Sequence, residues 1–188
     1  MTSARPLRAD ARRNRDRLLE VAVRAFSHEG PEVTLEAIAR EAGVGIGTLY
    51  RHFPTREALI DAAYRNELAR LCDSVDDLVT ALPPDQALRR WMDRFVDYMT
   101  AKRGMGDALR ALIASGGNPF SESRDRLTAA VATLLRAGAS AGTLRSDVAP
   151  EDVLVGLSGI SLATENAERR EQAGRLLDLL VDGLRPRP

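Results

Sequence analysis

Four side chains in the segment Ile46–His52 carry groups suited to recognising a polar surface: a hydroxyl, a phenol, a guanidinium and an imidazole, on Thr48, Tyr50, Arg51 and His52. These groups donate and accept hydrogen bonds, and the guanidinium is always charged. Cationic donors of this kind bind phosphate and carboxylate oxygens strongly. The segment therefore indicates a binding surface for a polar or anionic partner.

No catalytic or metal-binding pattern accompanies this segment. His28 and His52 are the only histidines, and we expect His28 to cap the end of a helix. Neither has Cys, Asp or Glu neighbours at the spacing of metal ligands, and no Ser/His/Asp or Cys/His arrangement predicts a catalytic triad. We expect no enzymatic activity, no metal and no cofactor.

Two short helices and a tight turn are predicted to position these side chains. Thr34 suits the N-cap of the first helix, and Gly43 lies just past its end, where a left-handed residue terminates a helix most easily. Apolar residues of the first helix recur on one face: Leu35, Ile38, Ala39 and Ala42. The second helix follows over Ile46–His52, with Leu49 and Phe53 directed inward. This layout is typical of a helix-turn-helix, whose second helix enters the major groove of DNA.

The same residues form a longer pattern of two runs: Thr34-Leu35-x-x-Ile38-Ala39-x-x-Ala42-Gly43-Val44 and Gly47-Thr48-Leu49-Tyr50-x-His52-Phe53-Pro54-x-Arg56-x-x-Leu59. Together they resemble the DNA-binding domain of the tetracycline-repressor (TetR) family of transcriptional regulators. A bare helix-turn-helix is a weak signal, but the Thr-Leu-Tyr-x-His-Phe run at this distance from the Ala-Gly-Val turn is specific. The resemblance extends without a gap over about fifty residues from near Arg13.

The resemblance implies roles for individual residues. Candidate base contacts are Ile46, Gly47, Thr48 and Arg51. Candidate phosphate contacts are Thr34, Tyr50, His52 and Arg56, with added charge from Arg12 and Arg13. Arg51 has the fork geometry to bind a guanine, a contact worth about 1–3 kcal/mol of discrimination. For Tyr50, plain core packing is the alternative.

The formal net charge of the 188-residue chain is zero, but positive charge is concentrated beside the helix-turn-helix. Residues 1–17 contain six arginines and two aspartates, whereas residues 61–188 contain 17 basic and 19 acidic side chains. Basic charge beside a groove-reading helix is what phosphate binding requires. We expect residues 1–10 to form a flexible basic arm, which is either simply disordered or becomes ordered on DNA.

The composition predicts an all-α protein, because Ala, Leu, Arg, Glu and Asp dominate while β-branched and aromatic runs are few. Helical periodicity predicts about nine helices, of which the long helix 4 runs from about Arg56 to Leu82 and is closed by Pro83 and Pro84. We expect a helix-turn-helix domain over 11–56 and a ligand-binding and dimerisation domain over 57–188. The boundary then lies inside a continuous helix rather than in a flexible linker.

Cysteine usage and hydropathy bear on the compartment. Cys72 is the only cysteine, so no intrachain disulfide can form; we expect it to be buried and structural, with a thiol sensor as the alternative. The N-terminal residues lack the apolar segment of a signal peptide, and no apolar run is long enough to span a bilayer. We expect a soluble, cytoplasmic protein without a membrane partner.

Three further helices are predicted over about Asp85–Arg103, Asp107–Ser115 and Ser121–Gly142. Aromatic and Met side chains on the first of these, facing the other two, predict either ordinary core or an adaptable apolar ligand cavity. The candidate ligand-binding residues are Trp91, Phe95, Tyr98, Met99, Leu109, Leu112, Phe120 and Val131. No cluster of buried charges marks a particular effector. We therefore expect an apolar small molecule.

The last two helices carry apolar stripes suited to helix–helix packing. The candidate interface residues are Val153, Gly156, Leu157, Ile160, Leu176, Leu177, Leu180 and Leu184. Burial within one subunit is the alternative, whereas the family resemblance implies a four-helix interface in a homodimer. Two recognition helices on a twofold axis would read a palindrome whose half-sites lie one helical turn apart, ~34–36 Å.

These features predict a sequence-specific regulator that binds double-stranded operator DNA, most simply a repressor released from a palindromic operator by a small-molecule effector. One alternative is a helical small-molecule-binding protein without DNA binding. Another is an activator controlled by a partner protein. An electrophoretic mobility shift on the upstream DNA of its own gene separates the regulator from the first alternative.

Overall fold

A computed structural model of the chain describes residues 4–30, 32–164 and 169–186, with side chains from residue 10 onward. Over these ranges the protein is all-α, with nine α-helices and no strand. The helices are α1 Ala4–His28, α2 Leu35–Glu41, α3 Ile46–His52, α4 Arg56–Ala81, α5 Pro84–Gly104, α6 Gly106–Ala114, α7 Ser123–Ser140, α8 Pro150–Ala163 and α9 Arg170–Gly183. The predicted fold class is confirmed.

Helix α1 begins at Ala4, inside the segment 1–10 that we expected to form a flexible arm before the domain starting at residue 11. Most of the expected flexible arm, residues 1–10, is therefore helical, and only its residues 1–3 lie outside the described residues. Pro6 is compatible with this early start, because the N–H groups of a first helical turn have no intrahelical acceptor. The alanines and arginines around it are strong helix formers.

The helices form two compact units. Unit 1 contains the chain up to Glu67 together with Ala101–Pro119, and unit 2 contains Leu68–Thr100 and the chain from Phe120 onward. The boundaries fall inside α4 and inside α5, so both helices contribute to both units. Helix α6, which we expected within a 57–188 domain, groups instead with α1, α2 and α3.

The core of unit 1 holds α2 and α3 on α1. Its fully buried side chains include Leu18, Leu19, Phe26, Ile38, Leu49 and Leu59. The end of α5 also packs against the end of α1, at Gly104 and Ser27. A Cβ added to Gly104 would lie 2.6 Å from the Cβ of Ser27, so the approach requires glycine. Apolar burial, worth about 25 cal/mol per Å², is the main force that fixes α3 in place.

Unit 2 is centred on α5. Trp91 is fully buried, and its Nε1 donates a hydrogen bond to the Leu71 carbonyl of α4 at 3.1 Å. Arg89 connects α5 to α9, because its Nε lies 2.6 Å from Asp178 Oδ1 and its Nη2 donates to the Gly174 carbonyl at 3.2 Å. Burial lowers the pKa of Arg89, but hydrogen bonds to Asp93 and Asp178 outweigh burial and raise that pKa above its ordinary value.

None of the described helices combines the length and the apolar character that a bilayer crossing demands.

Candidate nucleic-acid interface

The turn between α2 and α3 is a Schellman motif, which fixes the direction in which α3 leaves α2. The N–H of Gly43 donates to the Arg40 carbonyl at 3.1 Å, and the N–H of Val44 donates to the Ala39 carbonyl at 3.0 Å. Gly43 has φ = 67°, in the left-handed region, as its position after the helix predicted. A residue with a side chain would lose about 1–2 kcal/mol in this conformation.

Thr34 caps α2, as predicted. Its Oγ1 accepts a hydrogen bond from the N–H of Ala37 at 3.1 Å, while the side chain stays exposed. The hydroxyl oxygen is thereby fixed at the start of α2, and its own hydrogen remains able to donate to an oxygen outside the protein. This geometry suits a contact with a phosphate.

Helix α3 turns one face to the core and another to solvent. Leu49 is fully buried, and Phe53 just after the helix is 3% exposed. On the other face, Ile46 is 37% and Tyr50 45% exposed, which rules out plain core packing for Tyr50. Of the remaining predicted contact residues, Gly47 and Arg51 are exposed, while Thr48 and His52 are half-buried. The structure thus presents the predicted set on one short helix.

Arg51 is held against its own helix. Its Nε donates to the Gly47 carbonyl at 3.2 Å, and its Nη2 donates to Thr48 Oγ1 at 3.2 Å. The surface beside it is open, since no atom outside the neighbouring residues and backbone of α3 lies within 4 Å of the position that a Cβ on Gly47 would occupy, among the described residues. A close approach of another molecule to the backbone of α3 is therefore possible here.

Two further arginines of α1 lie beside the two ends of α3 and were not singled out from the sequence. The Arg15 guanidinium lies over the Phe53 ring, 5.6 Å from its centroid. Arg17 Nη1 lies 3.6 Å from the Cβ position of Gly43, at the turn before α3. The sequence did contain a signal for Arg15. This residue lies three residues before Leu18 and therefore on the same side of α1, one turn from a residue predicted to be buried.

The other arginines assigned from the resemblance differ in their surroundings. Arg12 and Arg13 are exposed on α1, and Arg13 pairs with Asp10 one turn away. Arg56 is half-buried instead, because its Nη1 donates to the Val33 carbonyl at 2.5 Å and its guanidinium lies 5.1 Å from the centroid of the Phe26 ring. Arg56 therefore ties the start of α4 to the segment before α2, and its expected phosphate contact stays a prediction.

The candidate ligand-binding residues are divided between the units. Leu109 and Leu112 belong to unit 1, whereas the other six belong to unit 2: Trp91, Phe95, Tyr98, Met99, Phe120 and Val131. On α5 the aromatic rings form a buried row, with centroid separations of 5.8 Å between Trp91 and Phe95 and 6.1 Å between Phe95 and Tyr98. The predicted cavity among all eight stays a prediction. A cleft of about 540 Å³ in unit 2 is lined by other residues, including Arg89, Asp178 and Arg185.

Four of the candidate interface residues are buried within unit 2 of the single chain: Val153, Leu157, Leu177 and Leu184. Gly156 also serves this internal packing, because a Cβ there would lie 3.7 Å from Leu180 Cδ2. For these residues the alternative of burial within one subunit holds. The reason is that α8 and α9 are apolar on two faces, and periodicity does not say which face packs internally.

The outer faces of α8 and α9 carry the three most exposed large apolar residues among those described. Val155 is 69%, Leu162 68% and Leu179 67% exposed. Val155, Gly159 and Leu162 follow one another at intervals of four and three residues and so share one side of α8. Half-buried Ile160, Leu176 and Leu180 lie between the two faces.

Two further sequence features concern reactive groups. Cys72 is half-buried, and burial raises the pKa of its thiol to about 11, which Arg126 opposes. A thiol protonated at neutral pH suits a structural residue better than a sensor. Among the described residues, no three His, Cys, Asp or Glu side chains gather as a metal site.

Comparisons with known proteins agree with this geometry. A family model for bacterial regulatory proteins of the tetR family matches residues 18–63, and a model for the C-terminal domain of SbtR-like transcriptional regulators matches residues 83–186. An HTH-type transcriptional regulator from Staphylococcus aureus is 46% identical over 54 residues, which span 28% of this chain and only 29% of that relative.

Two solved structures match nearly the whole chain. A TetR transcriptional regulator from Streptomyces coelicolor is 59% identical, with a TM-score of 0.89 and coverage of 93% of this chain and 99% of that one. A TetR transcription regulatory protein from Mycobacterium vanbaalenii is 36% identical, with a TM-score of 0.78 and coverage of 96% and 100%. A helix-turn-helix with an outward-facing α3, followed by a matched C-terminal domain, places this chain in the TetR family of DNA-binding transcriptional regulators.

Proposed function

We propose that the protein is a cytoplasmic, homodimeric repressor that binds a palindromic operator through α3 and leaves it when a small molecule binds. The observation that carries this proposal is the outer face of α3, where Ile46, Tyr50 and Arg51 are exposed while Leu49 anchors the helix in the core. A rigid helix with apolar, phenolic and cationic groups on its outer side suits the major groove.

The groups around α3 divide by the part of DNA that each suits. Ile46 and Gly47, in the first turn of α3, face the base edges in this proposal, because the first residues of a recognition helix enter the groove. Arg51 joins them, since its side chain folds back over that turn through its hydrogen bonds to the Gly47 carbonyl and Thr48. Tyr50 and His52 follow on the same helix and bind phosphates. The remaining phosphate contacts in this proposal come from Thr34 at the start of α2 and from four exposed arginines of α1: Arg12, Arg13, Arg15 and Arg17. Such backbone contacts make up half to two-thirds of the hydrogen bonds in protein–DNA complexes and set the register.

A second copy of the chain completes the binding unit. One α3 reads too few base pairs for specificity, whereas two on a twofold axis read two half-sites. The outer faces of α8 and α9, with Val155, Leu162 and Leu179 two-thirds exposed, supply the apolar surface that such a pair buries. This proposal moves the interface from Val153 and Leu157, on the inner side of α8, to its outer side.

Release by an effector is the second part of the proposal. Helix α4 contributes residues to both units, so a displacement in unit 2 has a continuous path toward α3. The aromatic row of α5 suits an apolar ligand. The ligand changes operator affinity only by its differential affinity for the two states of the protein.

DNA binding is tested by selecting bound duplexes from a random pool, which yields the operator and its symmetry together. We expect a palindrome. We expect Tyr50→Ala to abolish the mobility shift and Arg51→Ala to weaken it measurably, in both cases without changing the circular dichroism spectrum. Arg110→Ala is the matched control, since Arg110 is an exposed arginine of unit 1 outside the α3 surface. Failure to enrich any duplex would refute the proposal.

Effector release is tested separately. Trp91 is the only tryptophan, so its fluorescence reports ligand binding near α5 without labelling. Candidate apolar ligands that change this fluorescence should also lower operator affinity, measured by fluorescence anisotropy of labelled duplex. A ligand that binds at saturation and leaves operator affinity unchanged contradicts this part of the proposal. Transcription from a promoter carrying the operator then distinguishes repression from activation.

A further inference from the structure

We propose that Arg51 reads a guanine in each half-site and that Thr48 is a positioning residue that acts through Arg51. This inference rests on the proposed DNA binding, and it names the base that Arg51 recognises and the residue that holds Arg51 in place. Its basis is the pair of hydrogen bonds that fold the Arg51 side chain along α3.

The two hydrogen bonds use one edge of the guanidinium. Nε donates to the Gly47 carbonyl and Nη2 donates to Thr48 Oγ1, both at 3.2 Å. Nε and Nη2 lie on the same side of the planar group, so the opposite edge, made by Nη1 and the second N–H of Nη2, keeps two parallel donors. Within the described part of the chain, no acceptor occupies that edge.

A guanine fits this free edge better than the other bases do. Its major-groove side offers two acceptors, N7 and O6, whereas adenine offers one acceptor and one donor. Arginine has only donors, so the second position of adenine repels it. A bidentate contact therefore discriminates guanine from adenine by about 5- to 150-fold in affinity.

The hydrogen bonds to Gly47 and Thr48 also place the Arg51 guanidinium near the N-terminal end of α3, the end that enters the groove. Helical side chains lean toward the N-terminus, and the bonds to Gly47 and Thr48 hold Arg51 over the first turns. The first residues of a recognition helix are those that reach base edges. The absence of a side chain on Gly47 leaves open space beside this site among the described residues, so a base pair can approach.

Thr48 in this arrangement accepts a hydrogen bond rather than reading a base itself. Without the hydroxyl, Arg51 keeps only its bond to the Gly47 carbonyl and samples more rotamers. A hydrogen bond of this type contributes about 0.5–1.5 kcal/mol, which corresponds to roughly a two- to twelvefold change in affinity. Removal of the Thr48 hydroxyl should therefore weaken discrimination at the guanine that Arg51 contacts and at no other base pair of the operator.

The experiment uses the duplex selected from the random pool, with each guanine replaced in turn by 7-deazaguanine, which lacks the N7 acceptor. We expect one guanine per half-site whose replacement weakens wild-type binding but has little effect on Arg51→Ala. Thr48→Val, which keeps the shape and removes the hydroxyl, should reduce preference for that guanine, and Thr48→Ser should restore it. In the Arg51→Ala background, Thr48→Val should have no further effect.

Three results would overturn the inference while leaving DNA binding intact. If Arg51→Ala weakens all duplexes equally and lowers the salt dependence of binding by about one ion, Arg51 binds a phosphate. If the effects of Thr48→Val and Arg51→Ala add independently, Thr48 touches DNA itself. If no guanine is sensitive to the loss of N7, the base assignment is wrong. Absence of any selected duplex would instead refute the proposed function.

Discussion

The interface on the outer faces of α8 and α9 makes a quantitative prediction for Leu179→Arg. Full burial of a leucine side chain contributes about 1.5–3 kcal/mol. Because Leu179 is 67% exposed in the single chain, about 1–2 kcal/mol remains to be gained on association. A twofold interface contains the residue twice, so its loss costs about 2–4 kcal/mol.

This cost corresponds to an increase of about 30- to 1,000-fold in the dimer dissociation constant. The entropic cost of association is common to the wild type and the variant and cancels in the comparison. The two introduced guanidinium groups add repulsion if they meet near the axis. Leu162→Arg should act in the same way, since Leu162 is exposed to the same extent on α8.

Sedimentation velocity over a concentration series measures the dissociation constant directly. Ile113→Arg is the matched control, because Ile113 is a 47% exposed apolar residue of unit 1, outside α8 and α9, and its replacement should leave the dimer unchanged. Operator affinity should fall together with dimerisation in Leu179→Arg. A wild type that is monomeric at tens of micromolar, or a Leu179→Arg protein that dimerises as tightly as the wild type, would refute the placement of the interface.

Three further predictions follow from local geometry. Gly47→Ala should stabilise α3 by up to about 0.5–1 kcal/mol, which thermal unfolding measures. It should also weaken operator binding by about 1–3 kcal/mol, measured by fluorescence anisotropy, because the added methyl group fills space that the DNA needs. The control Gly106→Ala, in the first turn of α6, should leave operator binding unchanged. Cys72, with a pKa of about 11, should be about one thousandth thiolate at pH 8 and react slowly with iodoacetamide until urea unfolds the protein. Equal rates in native and unfolded protein would contradict this. Trp91→Phe should lower the free energy of unfolding by about 1–3 kcal/mol, because it removes buried area and the hydrogen bond to the Leu71 carbonyl. Urea unfolding monitored by circular dichroism measures this loss, and an unchanged unfolding midpoint would contradict the packing described for α5.

Much of the helical framework was predictable from local signals. Pro150 marks the start of α8, because its fixed φ suits a first helical turn where no N–H is needed, and Gly43 marks the end of α2, because glycine adopts the left-handed conformation without strain. The start of α1 was misplaced, since residues 1–10 were expected to form a flexible arm although a first helical turn accommodates Pro6. Sequence patterns predict the existence of a helix more reliably than its first residue, because several neighbouring start positions fit the same pattern.

The α3 surface was predictable for the same reason. Thr34 at the N-cap, Leu49 on the inner face, and Tyr50 and Arg51 on the outer face all follow from neighbours within one or two helical turns. The hydrogen bond of Arg56 could not be predicted in this way, because its acceptor is the Val33 carbonyl, 23 residues away in the chain. A resemblance transfers the identity of a residue, but the partner of its side chain depends on the packing around it.

By itself, the sequence determined the elements: an all-α chain, a helix-turn-helix and the side chains that α3 displays, since helical periodicity, caps and glycine conformations are properties of short segments. Only the tertiary structure decided which elements pack together. It placed α6 in unit 1, brought Arg15 next to Phe53 and Arg17 next to Gly43, and turned Val155, Leu162 and Leu179 outward instead of Leu157 and Leu177. The physical reason is that a helix with two apolar faces can bury either one, and the choice is made by partners distant in sequence.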